Sequence, residues 1–303
     1  MFKRLLNECT IPMTIRPEGA MLIKSGMPQI IGIDMAWVRV FRNGQQEVYL
    51  PGSSLKGMLR AHSERIARTT DDNAACNPFS RRGDRGRIAC GEAIEKRTLT
   101  PEAYKQSCPI CRMYGNTLLM GRLATEDAYV TGEQPITQQR DGVGIDRFTG
   151  GASRGAKFEL EVITGGEFKT TLHLQNFEIW QLGLLGFVLQ DLRDGLVRLG
   201  SGKSRGLGKI KAEIGDITFH YHGMGNDQRV LQNGQGELFG VGELFEKAGE
   251  YGMATDDHVE FDGEIATVRE SPFGALRQIV KIPFEAMPWQ ALTAKWVDKV
   301  ESI

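Results

Sequence analysis

No long hydrophobic run interrupts the 303-residue chain. No stretch approaches the roughly 20 apolar residues of a membrane-spanning helix, so a helical membrane protein is excluded and no membrane partner is expected. Met1-Phe2-Lys3-Arg4 is not followed by the apolar core of a secretion signal, and the expected location is cytoplasmic. Cysteine is scarce, with five residues: Cys9, Cys76, Cys90, Cys108 and Cys111. An odd count without a secretion signal argues against a disulfide framework. A dominant charge of one sign is also missing. The net charge is −1, which taken alone argues against a nucleic-acid binder.

What is present is unevenly distributed. Residues 1–155 hold 22 Lys and Arg against 16 Asp and Glu, and 156–222 are balanced at 8 and 8. Residues 223–303 hold 7 against 14. A basic front and an acidic tail suggest a polyanion partner for the first part and another task for the last. Ordinary scatter is the alternative.

The stretch from Ile31 to Arg60 organises the front. Ile33, Met35, Trp37 and Phe41 alternate with Asp34, Ala36, Val38 and Val40 in a strand pattern. Asn43-Gly44 is a strong hairpin signal, because a type I′ turn needs positive φ at both central residues. Val48-Tyr49-Leu50 is the return strand and Pro51-Gly52 breaks it. Ser53 or Ser54 can cap a helix starting near Leu55, which carries Lys56 and Arg60 one turn apart. Asp34 beside this basic helix start is either part of a site or an acid paired with Arg39 or Lys56.

From about Arg68 to Ser107 the regular pattern stops, over a length that in a compact domain needs something to hold it. Cys108-Pro109-Ile110-Cys111 supplies a CxxC knuckle, whose spacing suits two corners of a zinc tetrahedron. Cys76 and Cys90 can complete a Cys₄ set, and His62 is the alternative ligand for one of them. Four protein ligands leave no open position, so such a zinc is structural. A redox CxxC lacks its βαβ context here, and unrelated free thiols are the remaining alternative.

Arg140 to Gly155 is rich in Gly and Arg and reads as an exposed loop or a projecting hairpin. Arg140, Arg147 and Arg154 suit phosphate contact and Phe148 suits wedging against a base; a solvated loop is the alternative. Leu199 to Lys209 contains Gly202-Lys203-Ser204, but Val197 stands where a P-loop needs glycine and a strand follows where a helix is required. A glycine-rich turn remains, whose N–H groups, with Lys203, Arg205 and Lys209, can follow a phosphate chain. Strands are predicted over 158–162, 168–174, 210–214, 217–222 and 277–284, and helices over 177–192 and 288–300.

These motifs together resemble the RAMP-superfamily backbone subunit of type III CRISPR effector complexes. Ile31-Gly32-Ile33-Asp34 is similar to the family's loop-strand ending in the catalytic aspartate. Pro51-Gly52-Ser53-Ser54-Leu55-Lys56-Gly57 is similar to its first-helix signature. Val143 to Gly150 is similar to the stretch at the base of its thumb hairpin, and Gly202 to Gly208 to its C-terminal glycine-rich loop. The resemblance spans about Cys9 to His222. It implies an α+β fold, a modified ferredoxin-like, RRM-related palm with a zinc-stabilised fingers insertion (68–115) and a thumb hairpin (133–158). Residues 223–303 are then an acidic extension. It also implies a metal-dependent endoribonuclease: guide CRISPR RNA seated on Ser53, Ser54, Lys56, Arg60 and the Lys203, Ser204, Arg205 and Lys209 loop, and target RNA cut at Asp34 with Mg²⁺ or another divalent cation. Arg140, Arg147, Phe148 and Arg154 belong to the thumb. Implied partners are guide and target RNA, copies of itself or related RAMP subunits in a filament, and other effector subunits. A catalytically inactive scaffold is the alternative. A guide-processing nuclease would want a catalytic histidine, and none of His62, His173, His220, His222 and His258 falls in the matched motifs.

Overall fold

A computed structural model describes residues 3–26, 33–84, 86–224, 230–232, 234–269 and 271–303. Ile31, Gly32 and the Met27-Pro28-Gln29 link before them lie outside the described residues. In chain order the first elements are β1 (Asn7–Pro17), β2 (Arg39–Arg42), β3 (Gln45–Leu50), α1 (Gly52–Thr70), α2 (Cys90–Ala93), α3 (Thr100–Gln106) and α4 (Pro109–Tyr114). Then follow β4 (Leu123–Thr125), β5 (Ala128–Val130), β6 (Ile136–Ile145), β7 (Ala152–Thr164), β8 (Phe168–Gln175), α5 (Ile179–Arg193), β9 (Ile210–Ile214) and β10 (Ile217–His222). The C-terminal stretch adds β11 (Leu231–Gln232), β12 (Gln235–Phe239), α6 (Val241–Leu244), β13 (His258–Asp262), β14 (Thr267–Arg269), β15 (Arg277–Ile282) and α7 (Trp289–Glu301).

Strand β1 is the axis of an antiparallel sheet. Cys9, Ile11, Met13 and Ile15 face the core, while the intervening residues face outward. One edge of β1 pairs with β8; the other pairs with β10 over Asn7–Thr10 and with β9 over Met13–Pro17. Pro12 sits where the partner changes. It has no N–H to donate, and its carbonyl accepts the Gly215 N–H at 2.8 Å in the β9–β10 break. Strands β4 and β5 lie on the far edge of β8. The elements β1, α1, β4/β5, β8, α5 and β9/β10 therefore run as βαββαβ, with the last strand and β8 flanking the first. That is the split βαβ arrangement of ferredoxin-like folds.

Local chemistry explains the landmarks. Asn43 (φ 52°) and Gly44 (φ 81°) make the type I′ turn between β2 and β3. Helix α1 begins at Gly52, three residues before the expected start, and neither serine caps it. Asp127, between β4 and β5, accepts the Gly52 N–H at 2.7 Å instead. Residues 33–38 form no regular strand, only isolated bridges at Met35 and Trp37. The 68–107 stretch contains α2 and α3, too short to leave a periodic signal.

Residues 223–303 build onto the same body. Strand β15 pairs with β10 and β14 with β15, extending the main sheet. Helix α7 lies across α5 so closely that a Cβ on Gly183 would meet the Leu292 carbonyl. Asp257 ties this stretch to the start of α5: its Oδ1 accepts the Ile179 N–H and its Oδ2 the Gly242 N–H, both at 2.9 Å. Burial, and then the charge of Glu178, push the Asp257 carboxyl up to about 7. A raised carboxyl pKa means that the native state holds the proton more tightly than the unfolded chain. Stability should therefore fall as pH rises through the window from about 4 to 7. The Asp257 contribution, read as the difference in urea stability between the native sequence and Asp257→Asn, is expected to decline across that window by roughly 2–4 kcal/mol. Asp257→Asn should flatten the decline and lower stability at pH 5 by about 1–3 kcal/mol, since the amide leaves one buried N–H without an acceptor.

Candidate nucleic-acid interface and metal centre

The projecting hairpin β6–β7 pairs with itself from Ile136↔Thr164 outward and closes at Asp146–Gly151. Its turn is held by Asp146, whose Oδ1 accepts the Phe148 and Thr149 N–H groups at 2.8 and 2.9 Å. These bonds hold the Asp146 carboxyl below the ordinary range. The Val143–Gly150 motif is thus the closing turn at the tip, not the base expected from the resemblance. Arg147 and Phe148 stand on that turn, with Phe148 fully exposed, and Arg140 and Arg154 are exposed along the arms.

The base of the hairpin receives Asp34, which is exposed. Its Oδ2 accepts the Glu159 N–H at 3.0 Å. Met35 continues the contact, giving its N–H to the Glu159 carbonyl and accepting from the Glu161 N–H, both at 3.0 Å. Arg39, a possible partner of Asp34 on sequence grounds, pairs with Glu161 instead. Next to Glu159, the Phe158 ring lies over Gly142, and the Arg205 guanidinium sits 5.6 Å from the ring centre. Asp34 and the glycine-rich loop thus both contact β7, at the adjacent residues Glu159 and Phe158.

That loop docks on residues 20–22 through backbone bonds: Ser201 N–H to Leu22 O at 2.8 Å and Gly208 N–H to Ala20 O at 2.9 Å. The fit requires glycine at 200, where φ is +87° and a Cβ would meet the Leu22 carbonyl. Lys203, Ser204 and Arg205 are presented on a short turn between Gly202 and Gly206, both left-handed. Desolvation, and then the nearby charge of Arg65, lower the Lys203 pKa, so Arg65 of α1 joins this basic surface. Lys209 is placed differently from expectation: its ammonium pairs with Glu18 at 2.9 Å.

On α1, Ser53 is exposed, Ser54 and Lys56 are half-buried, and desolvation followed by Arg60 lowers the Lys56 pKa. Arg60 itself turns away from solvent. It donates to Glu64 at 3.0 Å, to the Gly115 carbonyl at 3.1 Å and to Cys111 Sγ at 3.5 Å. It braces the cysteine cluster rather than offering a phosphate contact.

Cys76, Cys90, Cys108 and Cys111 are all buried, and their sulfurs lie within 4.8 Å of one another. Cys76 Sγ is 3.6 Å from Cys111 Sγ. Zn–S bonds of about 2.3 Å give tetrahedral S···S edges of about 3.8 Å, so the set fits a zinc ion. The Cys76 and Cys111 N–H groups each donate to Cys108 Sγ at 3.4 Å, and the Cys108 N–H to Cys90 Sγ at 3.3 Å. Bonds from the other three thiols hold Cys108 far below the usual thiol range. Thiolate is the metal-binding form. His62, the alternative ligand, is elsewhere: its Nε2 meets Asp191 at 2.5 Å and its Nδ1 meets Arg65 at 2.6 Å.

Sequence reasoning did not find Glu161, Phe158 or Arg65. Glu159 and Glu161 alternate with apolar residues and read as a solvent face, and Arg65 lies outside the motifs. No local signal marks Glu161, because its partner Arg39 is 122 positions away.

The architecture and the site define a mixed α/β, ferredoxin-like protein that carries a basic glycine-rich loop beside a projecting hairpin. The sequence pattern of the RAMP superfamily matches residues 33–211, more than half of the chain, and the chain belongs to that superfamily. Membership points to a CRISPR-associated RNA-binding subunit that associates with RNA and with other effector subunits. No curated protein matches the chain. Among the described residues no helix is long and apolar enough to cross a membrane.

Proposed function

We propose that this chain is the backbone subunit of a type III CRISPR ribonucleoprotein that binds guide RNA and cuts complementary target RNA at regular intervals. The observation that carries the proposal is the exposed Asp34 carboxylate held on the hairpin by the Glu159 N–H, with Arg205 of the glycine-rich loop over the neighbouring Phe158 ring. The sheet with α1 and α5 is the palm, the cysteine-bound 68–115 segment the fingers, and the hairpin the thumb. Guide RNA lies along Lys203, Ser204, Arg205 and Arg65, with Lys56 and the α1 start as a further seat. Base pairing reads the target, as in other RNA-guided systems. Phe148 and the arginines of the hairpin enter the duplex and splay it, which turns a target phosphate towards Asp34.

Asp34 acts on the ribose 2′-hydroxyl or through a divalent cation. Among the described residues the one cluster of three or more ligating side chains is the cysteine set. A divalent cation at Asp34 would have that carboxylate as its protein ligand and would draw the rest of its ligands from RNA phosphates and water, as Mg²⁺ commonly does. In-line strain supplies the remaining drive. Zinc at the four cysteines is structural and takes no part in cutting. The assembled complex, given end-labelled complementary RNA and Mg²⁺, should yield products at a constant spacing. Tight binding with no products would identify a scaffold instead.

A further inference from the structure

An exposed carboxylate is a poor catalytic group unless its backbone is fixed. Asp34 lies in residues 33–38, which form no regular strand, so their position is set from outside. Two backbone bonds at Met35 hold them to β7, and the bonds from Ser25 N–H to Ala36 O at 2.9 Å and from Val38 N–H to Ile23 O at 3.0 Å hold them to residues 23–25. A further bond comes from a side chain: Glu161 Oε2 accepts the Trp37 N–H at 2.9 Å. The same oxygen takes Arg39 Nη1 at 2.7 Å, and Glu161 Oε1 pairs with Arg39 Nη2. Glu161 is 9 % exposed and Trp37 2 %. The bond from Arg39, against the opposing effect of burial and aided by the Trp37 N–H, lowers the Glu161 carboxyl pKa. One carboxylate thus joins the hairpin base, the segment bearing Asp34 and the first residue of β2.

We propose that Glu161, neutralised by Arg39, is a positioning residue for Asp34, fixing through the Trp37 N–H the backbone three residues beyond the acid. The proposal rests on Asp34 being the cutting residue. It gives Glu161 two duties, pairing with Arg39 and accepting the Trp37 N–H, and these separate by substitution. Glu161→Leu removes both the acceptor and the charge, whereas Glu161→Gln keeps an acceptor but loses the charge. Arg39→Gln keeps the carboxylate for Trp37. The exchange Arg39→Glu with Glu161→Arg restores an ion pair but puts a donor-only group opposite the Trp37 N–H.

The test uses the full assembled complex with guide RNA, labelled target RNA and Mg²⁺, and reads the saturating rate separately from target and guide affinity. Glu161→Leu is expected to slow cutting by about 10- to 100-fold, the scale of a displacement near 1 Å, with both affinities unchanged. Glu161→Gln and Arg39→Gln, which keep an acceptor for the Trp37 N–H, should each lose less than about 10-fold, and the exchanged pair should be as slow as Glu161→Leu. Three results overturn the proposal alone: a native rate in Glu161→Leu, a native rate in the exchanged pair, or affinity falling in step with rate. Asp34→Ala run alongside separates the other case. If that variant still cuts, the assignment of Asp34 falls and this proposal falls with it. Should Glu161→Leu fail to fold, Glu161→Gln and the exchanged pair decide the matter by the same comparison.

Discussion

Asp34→Ala is expected to stop target cutting while guide loading and target affinity remain at native levels. The rate should drop by about 10²–10⁴-fold, the range typical of removing a group that moves a proton in the transition state. The fold should hardly notice. Asp34 is exposed and accepts a hydrogen bond from the Glu159 N–H, which water can replace. A surface substitution of this kind usually shifts stability by less than about 0.5 kcal/mol. Asp34→Asn is the sharper variant, because its amide oxygen can still accept the Glu159 N–H and only the charge is lost. Single-turnover cutting and filter binding on the same preparations separate the two effects.

Cys108→Ser should produce the largest structural change. Cys108 accepts N–H bonds from both Cys76 and Cys111, and it caps α4. Elemental analysis of the native protein should find one zinc per chain, and the variant should contain none. Structural zinc contributes about 10–16 kcal/mol of apparent binding free energy in small zinc domains, so its loss should open the 68–115 segment. Limited proteolysis should then cut within that segment, and chelation of the native protein should reproduce the pattern. The disturbance should reach α1, since Arg60 donates to Cys111 Sγ in the same cluster. A native protein that contains no zinc and resists proteolysis would show the four thiols to be an ordinary buried cluster.

Much of the candidate site was legible where the chemistry is local. Asn43-Gly44 announces its turn because positive φ at two successive residues has few other solutions. The CxxC spacing identifies two members of the cysteine cluster, and the irregular segment around it points to the other two. The glycines at 200, 202, 206 and 208 all adopt positive φ, which is the conformation that the glycine-rich stretch implied. Sequence spacing failed where the partner is remote. Arg60 lies one helical turn from Lys56 and reads as part of the same basic surface, yet Gly115 and Cys111 draw it inward. Lys209 reads as a phosphate ligand, but chain reversal brings Glu18 to it. Ser53 and Ser54 have the chemistry of helix caps, but Asp127 reaches the Gly52 N–H from the turn between β4 and β5. Glu161 is the clearest case, because pairing with Arg39 becomes visible only once the hairpin base has folded against residues 33–38.

A structure of the assembled complex with guide and target RNA would bear most directly on the role of Asp34. The quantity to read is the distance from the Asp34 carboxylate to the target ribose 2′-hydroxyl or the scissile phosphate. Hydrogen-bond reach, about 2.6–3.2 Å directly or one bridging water or cation further, is the expected result. A target backbone that passes more than about 10 Å from Asp34, with the carboxylate still held only by the Glu159 N–H, would contradict it.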